Sequence, residues 1–332
     1  MTYYRPLVQH GDLRPEGAVP LAGGSSLWFS EAEVLSRDAP PRLIPAGLIP
    51  EDVCQRLSFR RAAISGLDMT QPQIMGILNV TPDSFSDGGR HSGVEAGCAA
   101  ALRMVEEGAS IIDVGGESTR PGADFIPEDE EIARTAPVIA AIREVSQVAI
   151  SIDTRKAEVA AETLEAGAGL INDVSGFTFD AALAPLAAQA GVPVCVMHAQ
   201  GDPATMQENP VYENVLLDVY DFLAAQVDRL EATGVLRDRI VIDPGIGFGK
   251  TQEHNLTLLR NLSLFHGLGC PILLGVSRKG FIGKIGQAPS PDARAPGSIA
   301  VGLAGLAQGV QILRVHDVAE TAQAVRLWQA VR

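Results

Sequence analysis

The stretch VAISIDTRKAEVAAETLEAGAGLINDV, residues 148–174, decides the fold. It opens with a short apolar run, Val148–Asp153, continues through a helix-period segment, Arg155–Ala166, and closes with a second apolar run, Gly169–Val174. Runs this short and this rich in Ile, Val and Leu are what parallel strands buried on both faces need. The unit is therefore strand, helix, strand, and it repeats in both directions along the chain. Upstream runs are Gln73–Asn79 and Ser110–Val114; downstream ones are Val192–Met197, Arg239–Asp243, Pro271–Gly275 and Gln311–Val315. The helix-period segments are Val94–Glu107, Pro127–Val145, Arg155–Ala166, Asp180–Ala190, Glu213–Thr233, His254–Phe265, Ala295–Gln308 and Ala319–Ala330. Eight strands alternating with eight helices over about 260 residues have the size and order of an α/β fold closed as a (β/α)8 TIM barrel. An open doubly wound sheet also alternates but rarely needs eight equal units.

Residues 1–66 have another texture. Pro6, Pro15, Pro20, Pro40, Pro41, Pro45 and Pro50 punctuate them, with a turn at Gly23–Ser26. Short helices are predicted at Ser30–Ser36 and Pro50–Arg56, and Trp28, Phe29 and Phe59 are available to pack. We expect an N-terminal extension over 1–66, without a legible function, and a barrel over 67–332.

The 332 residues are 46% apolar and 20% charged, enough for a core and far from a disordered composition. A net charge of −14 argues against nucleic acid or an anionic membrane as partner. An anionic substrate must then be held by a local cluster of cations. Lysine is scarce, four residues against 22 arginines, and Lys250 and Lys279 both fall in motifs quoted below. Cys54, Cys98, Cys195 and Cys270 are scattered without a C-x-x-C pair, so we expect reduced thiols and a cytoplasmic protein. The first residues lack the apolar core of a signal peptide. The longest apolar stretch, 181–199, is interrupted by Pro185, Gln189, Gly191 and Pro193, so no membrane span is expected.

In a closed parallel barrel, the loops after the strands build the active site. Here the strands end in Asn79, Asp113, Asp153, Asn172 with Asp173, His198, Asp243, Ser277-Arg278-Lys279, and Arg314 with His316. One such residue could be a helix cap; eight strand ends meeting on one rim point to a site. Carboxylates and an amide come from the middle strands, and cations from the second, seventh and eighth loops, where barrels often bind phosphate. That division fits an uncharged heterocycle on one side and a phosphate-like anion on the other.

The motifs at these ends are ordered: MGILNVTPDSFSDGG (75–89), DVGGESTRPG (113–122), SIDT (151–154), INDVSG (171–176), DPGIGFGK (243–250), SRK (277–279) and LRVHD (313–317). Together they resemble the signatures of the dihydropteroate synthases across residues 67–332. The resemblance implies an aryl transferase that joins 6-hydroxymethyl-7,8-dihydropterin pyrophosphate to p-aminobenzoate. It implies that Asn79 contacts the Mg²⁺ carried on the pyrophosphate. Asp113, Asp153, Asn172, Asp243 and Lys279 would line the pterin pocket, and Arg120, Arg314 and His316 would grip the pyrophosphate. Thr119, Pro121, Phe248 and Gly280, the start of the helix after Lys279, would flank p-aminobenzoate. Asp83, Phe85 and Asp87 would sit on a loop that closes over the reacting atoms. The family also implies a homodimer and sensitivity to sulfonamides.

Two positions depart from the family pattern. Gly280 stands where some members carry Ser, leaving only a backbone N–H for the aminobenzoate carboxylate. Ala199 stands where many carry Met, which we read as packing. The run 245–251 tempts towards a P-loop, but that motif needs Gly at 244, and Pro244 has no N–H to give a phosphate. A pterin-binding methyltransferase barrel would lack the loops at 81–87 and 118–121. A non-catalytic homologue would be expected to lose Arg120, Lys279, Arg314 or His316. His198 is read as structural, and Lys250 as either a surface residue or a ligand. The helix Ala295–Gln308, apolar nearly all round, is either buried on the barrel or a dimer contact.

Overall fold

The computed structural model describes residues 1–331 except 25, 81–88, 119–124 and 202–205, with only the backbone described at 89–92. The N-terminal residues form two small antiparallel sheets. One has the order β1 (Thr2–Pro6), β5 (Glu31–Ser36), β6 (Arg42–Pro45). The other has the order β2 (Gln9–His10), β4 (Leu27–Phe29), β3 (Val19–Pro20). Helix α1 follows at Glu51–Ser58. The helix expected at Ser30–Ser36 is a strand. Its residues alternate, with Ala32 and Val34 buried between the outward Glu31 and Glu33, and period two is strand geometry once two partners are present. Phe29 packs into this unit's own core with Leu21, Ile44 and Leu57; Trp28 is buried with its indole N–H donating to the Gly11 carbonyl at 3.0 Å, whereas Phe59 is exposed.

Eight parallel strands then form one sheet. In chain order they are β7 (Gln73–Asn79), β8 (Ile111–Gly115), β9 (Ala149–Asp153), β10 (Leu170–Asp173), β11 (Val194–Met197), β12 (Ile240–Asp243), β13 (Leu273–Leu274) and β14 (Ile312–Val315). The spatial order is β12-β11-β10-β9-β8-β7-β14-β13. Between β12 and β13 the circle closes through a single parallel bridge, Ile242 to Ile272, with Ile242 N–H donating to the Pro271 carbonyl at 2.9 Å.

The helices between them are α2 (Gly89–Glu107), α3 (Glu128–Val145), α4 (Ala157–Glu165), α5 (Leu183–Ala190), α6 (Val215–Thr233), α7 (Gln252–Arg260), α8 (Gly280–Ile285), α9 (Ala295–Leu306) and α10 (Val318–Ala330). The expected helix His254–Phe265 breaks at Asn261 into a 3₁₀ segment, Leu262–Leu268. Among the described residues no helix is long and apolar enough to cross a membrane.

The strands' period-two alternation sorts side chains between two compartments. Outward residues such as Ile112, Ile150, Ile152, Ile171, Val196 and Ile240 pack under the helices in the main core. Inward residues Met75, Ile111, Leu170, Cys195, Val241, Leu273 and Ile312 fill the barrel's lower half, sealed from below by Ile64 and Met69. Two residues further along, the same inward rows carry Asp113, Asn172, Asp243 and Arg314, and Asp153 stands two beyond the buried Ser151. An apolar floor therefore supports a polar mouth at the C-terminal strand ends.

Candidate active site

Arg314 organises the mouth. Its Nε donates to Asp113 Oδ2 and its Nη2 to Asp153 Oδ2, each at 2.6 Å. Asn172 Nδ2 donates to the same Asp113 oxygen at 3.1 Å. The other oxygens of Asp113 and Asp153 are buried and have no hydrogen-bond partner among the described residues. Carboxylates with a lone oxygen aimed into a dry site are acceptors for a ligand's N–H groups.

The electrostatics follow from this burial. Desolvation pushes the Asp153 carboxyl up to about 7; Arg314 opposes the shift, and neighbouring Asp113 adds to it. Burial also raises Asp243, against the pull of the Gly245 N–H, Lys279, Lys250 and Arg314. For Arg314, burial works against its charge, but Asp113 and Asp153 outweigh it and hold the guanidinium protonated.

The cationic side lies across the seam. Lys279 sits with Nζ 4.1 Å from the Phe248 ring centroid. His316 Nδ1 lies 2.9 Å from Ser277 Oγ, which also accepts from the His316 N–H at 3.1 Å. Asp243 lies within reach of the Lys279 charge, with Oδ1 accepting the Gly245 N–H at 2.7 Å. The exposed Asn79 ends β7, its Oδ1 3.9 Å from where a Cβ on Gly115 would lie. Gly280 is exposed with open space around it. Asp83, Phe85, Asp87, Thr119, Arg120 and Pro121 lie outside the described residues.

The loop carrying Phe248 has an unusual anchor. Lys250 is neither at the surface nor facing the mouth: it is buried, with Nζ 2.8 Å from His198 Nδ1 and donating to the carbonyls of Gly245 (2.8 Å), Phe248 (3.0 Å) and His198 (3.2 Å). Burial, then the Lys250 charge, push His198 down to about 2, so its neutral ring accepts from Lys250 Nζ, whose own pKa burial lowers to about 7. Gly245 has φ +67°, and a Cβ there would lie 1.8 Å from the His198 carbonyl oxygen, which explains why only glycine fits.

A second charged cluster went unnoticed in the sequence. Glu117 accepts from the Ile126 N–H at 3.1 Å and from Arg155 Nε at 3.2 Å. Buried Lys156 donates to the Ile126 carbonyl at 2.5 Å and to Glu131 at 2.6 Å. These bonds pin both backbone groups of Ile126 just beyond the second loop. The signal lay in the scarcity of lysine and in the place of Lys156, three residues after a strand end. Asp173, by contrast, points outward and caps its own loop, accepting from Ser175 and Phe177 N–H groups at 2.6 and 2.7 Å.

The family model for pterin binding enzymes matches residues 75–316. The dihydropteroate synthase of Escherichia coli strain K12 is 46% identical over 266 residues, covering 80% of this chain and 94% of the relative. A crystal structure of the Yersinia pestis dihydropteroate synthase with a sulfonamide drug complex is similar with a TM-score of 0.76 and 44% identity, covering 80% of this chain and 96% of that one. The Xanthomonas albilineans dihydropteroate synthase with 4-aminobenzoic acid gives a TM-score of 0.76 at 43% identity, covering 82% and 97%.

Proposed function

This chain belongs to the dihydropteroate synthase family of pterin-binding enzymes, and from that premise we propose how its mouth performs the reaction. The chain is a transferase of folate synthesis, condensing 6-hydroxymethyl-7,8-dihydropterin pyrophosphate with p-aminobenzoate to give 7,8-dihydropteroate and pyrophosphate. The observation that carries the residue-level reading is the fork of Arg314 between Asp113 and Asp153, with a lone buried oxygen on each carboxylate. An aminopyrimidinone ring offers N–H donors beside a carbonyl; the carboxylates of Asp113, Asp153 and Asp243 meet the donors, and the amide of Asn172 can serve either partner.

The aryl amine is neutral at pH 7 and needs no strong base. Its nitrogen lone pair forms a bond to the pterin methylene carbon, the C–O bond breaks, and that electron pair leaves with the pyrophosphate. The amine proton is lost once the new C–N bond exists. The barrier lies in charge separation, positive on the pterin and negative on the leaving group. Ring-side carboxylates stabilise the first. Lys279, His316 and the Nη1 edge of Arg314 face the second, with Arg120 added from the second loop, while the first loop brings Asp83 and Asp87 over the reacting atoms. Each preorganised donor of this kind is typically worth about 10²–10³ in rate. Thr119, Pro121, Phe248 and Gly280 are left to flank p-aminobenzoate.

Magnesium fits the donor present: Asn79 is exposed at the mouth beside Gly115, and its carbonyl oxygen is the hard, single protein ligand that an ion carried on phosphate accepts. When bound, Mg²⁺ supplies charge neutralisation to the departing pyrophosphate. The outer face of α9 exposes Pro296, Ala300 and Ala304, a small apolar surface that suits a second copy of this chain, and we read the enzyme as a homodimer. Its four free cysteines suit the cytoplasm.

The test is pyrophosphate release by the purified chain with Mg²⁺, with and without p-aminobenzoate. Release is expected to depend on p-aminobenzoate, to be inhibited competitively by sulfonamides, and to fall at least about 10²-fold in Lys279→Ala and in Arg314→Ala. Release independent of p-aminobenzoate, or unchanged kinetics in both variants, defeats the reading.

A further inference from the structure

The loops after β13 and β14 are joined by two consecutive pairs. Ser277 meets His316 as described, and the next residues pair as well: Arg278 Nε and Nη2 donate to the two carboxylate oxygens of Asp317 at 3.1 and 2.6 Å. Parallel bonds of this kind fix a guanidinium in angle as well as distance. Arg278 is also one of the few residues other than glycine with a left-handed backbone, at φ +59°. That conformation costs about 1 kcal/mol or more outside glycine.

The surroundings hold it there. The Arg278 N–H donates to Ser298 Oγ at 2.8 Å, and its carbonyl accepts from Arg294 Nη1 at 3.0 Å. Its Nη1 donates to Asp292 at 2.7 Å. Both backbone polar groups and all three guanidinium nitrogens are thus engaged, none of them with the carboxylates of the mouth. Strained backbone fixed by so many bonds belongs where geometry decides an outcome, and the residue that follows is Lys279.

We propose that Arg278 is a positioning residue: by locking onto Asp317 it sets the β13 and β14 loops in one register and so aims Lys279 and His316 together at the leaving pyrophosphate. This rests on the reading of those two side chains given above. A lysine at 278 keeps the charge but loses the two-pronged geometry, so it cannot substitute. The strain is released if the pair is broken, and Lys279 is then free to follow a relaxed backbone.

A comparison of backgrounds tests this on the full chain. Arg278→Ala and Arg278→Lys are each expected to lower kcat/KM by about 10–10² in the native background, but by less than about threefold when added to the double variant Lys279→Ala/His316→Ala. Equal fold losses in the two backgrounds overturn the proposal, because a residue that acts only through stability is additive. No loss in the native background overturns it as well. Native rates in Lys279→Ala/His316→Ala would instead sink the roles of Lys279 and His316 themselves. Should Arg278→Ala not fold, Asp317→Asn, which leaves the contacts to Ser298, Arg294 and Asp292, carries the same comparison.

Discussion

The buried Asp153 is where we expect pH to act on this enzyme. Its carboxyl is pushed up to about 7 by burial, while Arg314 at 2.6 Å pulls it back. Protonation weakens one prong of the Arg314 fork and turns an acceptor for the pterin into a partial donor. The kcat/KM for the pterin substrate is therefore expected to rise with pH along an acid limb centred near 7. In Asp153→Asn that limb flattens and the plateau drops about 10–10²-fold, the worth of one charge-assisted hydrogen bond. An acid limb unchanged in the variant refutes the assignment. For stability the sign runs the same way as protonation. The folded carboxyl keeps its proton to higher pH than the unfolded one, so its contribution is full below 3.8 and is lost as pH rises through about 7.

At the scale of elements, the loop from β12 to α7 makes the sharpest test. A Cβ at Gly245 would strike the His198 carbonyl oxygen at 1.8 Å with φ already at +67°, whereas one at Gly280 meets nothing within 4 Å. Gly245→Ala is expected to lose about 3 kcal/mol or more of unfolding free energy, and Gly280→Ala less than about 1. Comparable losses in denaturant titrations would show that the loop is not locked as described. The loop also marks the boundary of what sequence conveys. Asp113, Asp153, Asn172, Asp243 and Arg314 were legible because each stands at or near the end of a short apolar run that reads as a strand, although the sequence did not separate inward Asn172 from outward Asp173. The task of Lys250 was not, since its partner His198 lies 52 residues upstream. Ser30–Ser36 misled for the same reason, because the strands that recruit it as β5 come from both sides of it in the chain. Strand β13 is shorter than its apolar run because the Gln311 side chain, not a neighbouring backbone, takes the Ile272 N–H at 2.7 Å.

Across the whole molecule, the N-terminal unit grips the outside of the barrel at two levels, the start of α6 and the 3₁₀ segment before β13. Tyr3 Oη donates to Asp221 on α6 at 2.9 Å, and Arg37 pairs with Asp218 and Asp221 at 2.8 and 2.7 Å. Ser263 Oγ donates to the Pro6 carbonyl at 2.9 Å, while Arg56 and Arg61 donate to the carbonyls of Gly267 and His266, each at 3.1 Å. These carbonyls precede β13, at the end of the barrel opposite Lys279. Tyr3 is 2% exposed and meets the Tyr220 ring edge-on at 5.3 Å. Tyr3→Ala is thus expected to lower the melting temperature, by a loss of about 3 kcal/mol, with kcat/KM at 25 °C within about threefold of native. Lost activity without a thermal shift would mean that the unit reaches the reacting atoms.

The single bridge between β12 and β13 gives the barrel a split-ring character. Compliance in such a hoop gathers at its gap instead of spreading round the circumference. The gap here separates Asp243, at the tip of one arm, from Lys279, beyond the tip of the other. Breathing of the ring is therefore expected to change the spacing between those two opposite charges first, while the seven paired seams hold their width.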